Sequence, residues 1–128
     1  MSATPVLEEV LDLLRRRFGK PVQLGRSGRL WNFGRGINCS VNYSKLLRGD
    51  KFLFGVSQEV GDKDFAYPPT DLGDFVNLIC GSAQAALVLP RPLVLGMLDA
   101  VPTRKLDVFR EAGSYILQTT KHPKLSST

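Results

Sequence analysis

Cysteine and histidine are scarce in this 128-residue sequence, and each shortage excludes a class of site. Cys39 and Cys80 lie far apart and have no second cysteine or histidine at the spacing of metal ligands. Neither a disulfide framework nor a zinc site is therefore predicted, and we interpret both cysteines as small core residues. His122 is the only histidine, so it has no second histidine with which to build a metal site or a proton relay.

Long apolar runs are also missing. The longest, residues 85–89, is far shorter than the roughly 20 apolar residues that a membrane-spanning helix needs. The first dozen residues lack the basic segment and apolar core of a secretory signal. We therefore expect a cytoplasmic protein with no membrane partner, and the length and 43% hydrophobic content favour a single domain over residues 1–128.

Carboxylates are absent between Leu13 and Gly49, and this absence segregates the charge. The net charge is +5 overall, with −3 in residues 1–12, +9 in residues 13–51 and −1 in residues 52–128. A segregated basic surface favours a polyanion partner, because each neutralised phosphate releases condensed counterions and adds salt-sensitive affinity. The alternative is a solvated basic face with no partner.

The spacing of apolar residues predicts an α+β fold. Thr4 and Pro5 begin an amphipathic helix that Gly19 and Pro21 end. A second helix is predicted between Pro90 and Pro102, and residues 121–128 read as a loose tail. Strands are predicted at residues 22–24, 30–33, 37–45, 51–57, 74–80, 85–89 and 115–120, the pair 74–80 and 85–89 as central strands. This order fits a curved, largely antiparallel sheet or half-barrel flanked by two helices.

The clearest strand carries a row of small polar side chains. Apolar residues alternate there with Asn38, Ser40, Asn42 and Ser44. Such a row suits a strand lying against DNA, because asparagine pairs with adenine edges and serine with phosphates or bases. An ordinary solvent-exposed sheet face is the alternative.

Trp31, the only tryptophan, lies in the glycine-rich basic segment 25–36. Such segments approach a phosphate backbone closely, and the ring suits stacking on an unpaired or flipped base. A core anchor is the alternative interpretation of Trp31.

No catalytic residue, cofactor or metal site is predicted. Residues 42–45 occupy the place where a restriction-type nuclease has an acid-x-Lys pair, but the acid is missing. A metal-dependent nuclease with a degenerate site, using Asp50, Glu59 and Lys45, stays open as one alternative function. A basic protein-interaction module or inhibitor that meets an acidic partner is the other.

Four segments together resemble the accessory recognition domains of bacterial restriction-type endonucleases. They begin at Val41, Lys51, Asp74 and Leu87 (VNYSKL, KFLFGV, DFVNLICG and LVLP), and the resemblance of pattern covers residues 37–125. It implies recognition of specific or modified DNA, in a restriction or defence system, beside a separate nuclease domain or subunit. The chain is then an excised domain or a stand-alone relative.

The sequence therefore predicts a DNA-binding module with duplex DNA as its partner. The residues expected to hold phosphates are Arg26, Arg29, Arg35, Lys45, Arg48 and Lys51. The residues expected to read bases are Asn38, Ser40, Asn42 and Trp31.

Overall fold

The computed structural model describes residues 4–26, 28–56, 60, 62, 64–82, 84–98, 104–111, 114–119 and 125–127. The helices are α1 (Thr4–Phe18) and α2 (Arg91–Leu98). The strands are β1 (Val22–Leu24), β2 (Leu30–Phe33), β3 (Ile37–Ser44), β4 (Lys51–Gly55), β5 (Asp74–Cys80), β6 (Ala86–Pro90), β7 (Lys105–Glu111), β8 (Ser114–Gln118) and β9 (Leu125–Ser127).

The strands form two sheets. One has the order β1-β2-β3-β5-β6 and the other the order β4-β7-β8-β9. Every pairing between these strands is antiparallel except that of β3 with β5, which runs in parallel register from Asn38 opposite Asp74 to Ser44 opposite Cys80. The predicted α+β class with largely antiparallel pairing is confirmed, whereas the half-barrel curvature stays a prediction.

Helix α1 covers one face of the first sheet. Its apolar side chains recur at helical spacing, and Val10 packs with Val41 of β3 and Ile79 of β5. The helix ends where predicted: Gly19 takes a φ of 111°, and its N–H donates to the carbonyl oxygen of Arg15 at 2.8 Å. Neither described helix is long and apolar enough to cross a membrane.

The opposite face of the first sheet packs against the second sheet. Val76 and Leu78 of β5 meet Phe52 and Phe54 of β4 and Leu106 of β7 in the largest core cluster. Because α1 covers one face and the second sheet covers the other, both faces of β3 are removed from solvent.

Two predictions about the secondary structure were wrong, and one strand was missed. The strand predicted at residues 85–89 as a central strand is β6, which pairs only with β5 among the described strands and so lies at the sheet edge. Strand β7 was not predicted at all. Residues 125–127, expected in a loose tail, form β9 and pair with β8.

Both cysteines are buried and free, which confirms the interpretation of them as core residues. Burial raises the pKa of Cys39 to about 12 and that of Cys80 to about 11, with the nearby charge of Arg110 partly opposing the shift at Cys80. Both thiols are therefore protonated and unreactive at neutral pH.

Candidate functional site

The polar row of β3 is buried, so the expectation of an exposed polar face is wrong. The relative exposures of Asn38, Ser40, Asn42 and Ser44 are 0%, 0%, 3% and 7%. Their side chains point toward the second sheet, because their β5 partners Val76, Leu78 and Cys80 belong to the cluster between the sheets. A base edge has no access to this row, and Asn38, Ser40 and Asn42 are therefore not base-reading residues.

Hydrogen bonds within the protein explain why polar side chains occupy this buried position. Asn38 donates to the carbonyl oxygen of Pro68 at 2.7 Å and to Oδ1 of Asp74 at 2.9 Å, and it accepts from Nδ2 of Asn32 at 2.8 Å. Ser44 Oγ accepts from the N–H of Leu53 at 3.0 Å. The row thus fastens β3 to the loop before β5 at one end and to β4 at the other.

Trp31 is half-buried and packs against the core clusters beneath α1. Its register partner in β3 is Cys39, whose side chain belongs to one of those clusters. This packing matches the core-anchor alternative, and we do not include Trp31 in the interface.

Five of the six basic residues predicted to hold phosphates lie at the end of the first sheet where β3 finishes. Arg26 and Arg29 precede β2, while the other three follow β3 in the connection to β4 or begin β4. All five are exposed except Lys51, which is half-exposed. We call these five residues and the two described next the basic rim: Arg26, Arg29, Lys45, Arg48, Lys51, Arg104 and Lys105.

Arg104 and Lys105 were missed by the sequence prediction. Lys105 pairs with Gly55 of β4, and Arg104 exchanges hydrogen bonds with Val56 through its backbone carbonyl at 2.9 Å and its Nε at 3.3 Å. Arg29 approaches from the other sheet and donates from Nη1 to the carbonyl oxygen of Gly55 at 3.0 Å. Gly55 of β4 and the next residue, Val56, thus gather three exposed cations from two distant parts of the chain.

Arg35 does not belong to the rim. It lies in the turn between β2 and β3, where its carbonyl oxygen accepts from the N–H of Asp71. Strand β3 has eight residues, which at roughly 3.3 Å per residue puts its two ends about 23 Å apart. The prediction that Arg35 joins the other five in one surface was therefore wrong.

Ion pairs between described residues involve other cations. Arg15 and Arg16 of α1 pair with Asp12 of the same helix, the second at 2.8 Å. Arg91 is buried, lies 4.0 Å from the Asp74 carboxylate, and stacks 4.0 Å over the ring of Tyr67. These carboxylates belong to α1 and β5, so they do not neutralise the rim.

A cavity of about 320 Å³ opens beside the rim. Strand β2 begins at Leu30, opposite Ser40, so the last residues of β3 have no β2 residue beside them, and the cavity occupies this edge. Its walls come from α1, β3, β4 and the segment before β2: Leu7, Arg29, Val41, Asn42, Tyr43, Phe54 and Gly55.

Asn42 is one of the residues around this cavity, and the oxygen of its side-chain amide is buried. Its Nδ2 donates to Ser40 Oγ at 3.1 Å and to the carbonyl oxygen of Asn77 at 3.4 Å, but its buried Oδ1 has no hydrogen-bond partner among the described residues. An unpaired buried carbonyl costs about 1–3 kcal/mol.

Of the residues of the nuclease alternative, the structure describes Lys45 and Asp50, both exposed. Asp50 is exposed in a turn with a φ of 55°, and Glu59 lies outside the described residues, as does His122. Within the described part of the chain, histidine, cysteine, aspartate and glutamate nowhere form a group of three that could hold a metal ion.

Comparison with known proteins does not place this chain in a family: no family model matches it, and neither does a curated protein or a solved structure.

Proposed function

We propose that the chain is a nucleic-acid recognition domain that holds the phosphate backbone with the basic rim. The observation that carries this proposal is the convergence of Arg29, Arg104 and Lys105 on Gly55, the last residue of β4, and on Val56, which follows it. Cations brought together from distant parts of the chain create a local field that attracts a polyanion and raises its rate of association.

The breadth of the rim supports a nucleic acid over a small anion. The rim extends from the Gly55 end of β4 to the Lys51 end, which for a strand of five residues is about 13 Å at roughly 3.3 Å per residue. Successive phosphates of one strand of DNA are about 3.4 Å apart along the axis, so this span covers several of them.

The cellular setting of this function is part of the proposal. The resemblance of residues 37–125 to recognition domains of restriction-type endonucleases supports a cytoplasmic role in a restriction or defence system. In that setting the domain binds DNA, and a separate nuclease domain or subunit cleaves it.

The experiment compares rim variants with a control that removes the same charge elsewhere. Fluorescence anisotropy measures the affinity of the full chain for duplex DNA, methylated duplex, single-stranded DNA and RNA. Arg104→Asn removes a rim charge and keeps a residue type that tolerates the left-handed backbone at φ 51°. Lys105→Gln removes a second charge, and Arg35→Gln is the matched control at the opposite end of β3.

We expect the Arg104→Asn/Lys105→Gln double variant to lose about tenfold or more in affinity at low salt, while Arg35→Gln stays close to the wild type. The control Arg35→Gln/Arg17→Gln removes two charges outside the rim. An equal loss of DNA affinity in this control and in the rim double variant would show that the charge effect is diffuse, and it would overturn the rim as the interface. Incubation of plasmid with the chain and Mg²⁺ or Mn²⁺ should leave the DNA uncut, whereas cleavage would favour the nuclease.

A further inference from the structure

The outer edge of β6 exposes backbone groups that have no neighbouring strand among the described residues. The N–H of Cys80 in β5 donates to the carbonyl oxygen of Ala85 at 2.8 Å, so that carbonyl points toward β5. Backbone groups alternate in direction along an antiparallel strand, so those of Leu87 also face β5. The N–H and carbonyl groups of Ala86 and Val88 therefore point away from β5, where a further strand can pair with them.

The side chains of β6 lack the features that usually block an open edge. Natural proteins protect such edges with charged side chains, above all lysine, or keep them very short. Strand β6 has five residues and no charge, whereas β1, at the other edge of the same sheet, has only three residues. Leu89 is buried in the core between the sheets, so Val88 points to the other face of the sheet, and it is 54% exposed there. Strand β6 is therefore an apolar edge that is open to a further strand.

A second copy of β6 is complementary to this edge. We propose that β6 pairs antiparallel with β6 of a second copy around a twofold axis at Leu87, which joins the two five-stranded sheets into one. Ala86 then lies opposite the partner's Val88, and each such pair exchanges both of its hydrogen bonds. An axis at Val88 would instead place Ala86 opposite the partner's Pro90, which has no N–H, and would leave the Ala86 carbonyl without a donor. The axis at Leu87 pairs the outward groups of both residues.

Side-chain packing and charge also suit a second copy. The branched side chain of Val88 lies beside the small side chain of the partner's Ala86 on one face, and the two Leu87 side chains meet on the other, next to the core cluster. The basic rim lies at the end of the sheet where β3 finishes, and the twofold axis places the partner's rim at the opposite end. The pairing thus adds no repulsion between the rims of two chains that each carry a net charge of +5. It goes beyond the proposed function, because it holds whether or not the rim binds DNA.

Sedimentation velocity of the full chain, from low to high micromolar concentration, tests the dimer. A joined strand edge is smaller than the roughly 1,600 Å² of a standard interface, so we expect dissociation in the micromolar range. Val88→Lys places like charges on both sides of the axis. Val22→Lys makes the same substitution at an exposed valine of β1 and is the matched control. We expect Val88→Lys to weaken the dimer about tenfold or more, and Val22→Lys to keep the affinity of the wild type.

A cysteine at the axis tests the register. The two copies of Leu87 form a pair without mutual hydrogen bonds, whose Cα atoms are about 4.5 Å apart, within the range that a disulfide spans. Because Cys39 and Cys80 are buried, mild oxidation should link Leu87→Cys into a covalent dimer much faster than Val22→Cys. A monomer throughout the titration, a dimer that Val88→Lys weakens no more than Val22→Lys does, or cross-linking of Leu87→Cys no faster than that of Val22→Cys would each overturn the proposal.

Discussion

Replacing Asn38 by alanine separates the structural role of the buried polar row from the DNA-reading role that the sequence predicted. Asn38 is fully buried and makes three side-chain hydrogen bonds, to Pro68, Asp74 and Asn32. Two neutral bonds contribute about 1 kcal/mol each, and the bond to the carboxylate of Asp74 contributes about 2 kcal/mol. We therefore expect the free energy of unfolding to fall by about 4 kcal/mol, a large part of the roughly 5–15 kcal/mol that holds a domain folded.

Urea denaturation followed by circular dichroism measures this loss. With a slope of about 2 kcal/mol per molar urea, the midpoint should fall by about 2 M. Gln23→Ala, on the exposed strand β1, is the control and should change stability by less than about 0.5 kcal/mol. A loss below about 1 kcal/mol for Asn38→Ala, accompanied by weaker DNA binding, would contradict the structural account and restore Asn38 as a base-reading residue.

Further predictions concern glycines and cysteines. Gly36→Ala places a Cβ 2.7 Å from the ring of Phe18, so we expect the free energy of unfolding to fall by about 1–3 kcal/mol. The Cβ of Gly96→Ala in α2 meets no neighbour, so that variant should gain up to about 1 kcal/mol. Thermal unfolding measures both changes. Equal effects at the two glycines would contradict the packing of α1. Ellman's reagent at pH 8 should label neither Cys39 nor Cys80 until the protein unfolds; labelling of the native protein would contradict their burial. Folding raises the pKa of Cys39 from 9.0 to about 12, so the stability that this thiol contributes is complete below pH 9. Above pH 9 the free energy of unfolding should fall by about 1.4 kcal/mol per pH unit, because the thiol ionises more readily in the unfolded chain. Between pH 9 and 12 the stability of Cys39→Ala should therefore depend less steeply on pH than that of the wild type.

The local pattern of apolar and polar residues predicted the helices and strands well, because this pattern depends only on residues that are neighbours in the sequence. The strict alternation predicted a strand over residues 37–45, one residue longer than β3, and the caps at Thr4 and Gly19 predicted the limits of α1. Alternation says only that two faces differ, however, and the burial of each face depends on what covers it. The polar face of β3 is buried because the second sheet covers it, and the pairing of that sheet joins strands far apart in the chain.

The candidate site was predicted in part for the same reason. The basic stretch in residues 13–51 contains five rim residues, but the turn at Arg35 sends its charge to the other end of β3. Arg104 and Lys105 come from a segment with no excess of positive charge, and only the pairing of β7 with β4 brings them to Gly55. Leu106 and Val108 alternate within β7, a signal that would have found this strand.

The salt dependence of duplex binding tests the basic rim most directly. For about six phosphate contacts, a plot of log K against log salt concentration should fall with a slope of about −5, which is roughly a thousandfold loss between 50 and 200 mM. The Arg104→Asn/Lys105→Gln double variant should reduce the magnitude of this slope by about 2, and Arg35→Gln should leave it unchanged. A flat response in the wild type, or a change in slope with Arg35→Gln and none with the double variant, would contradict the account.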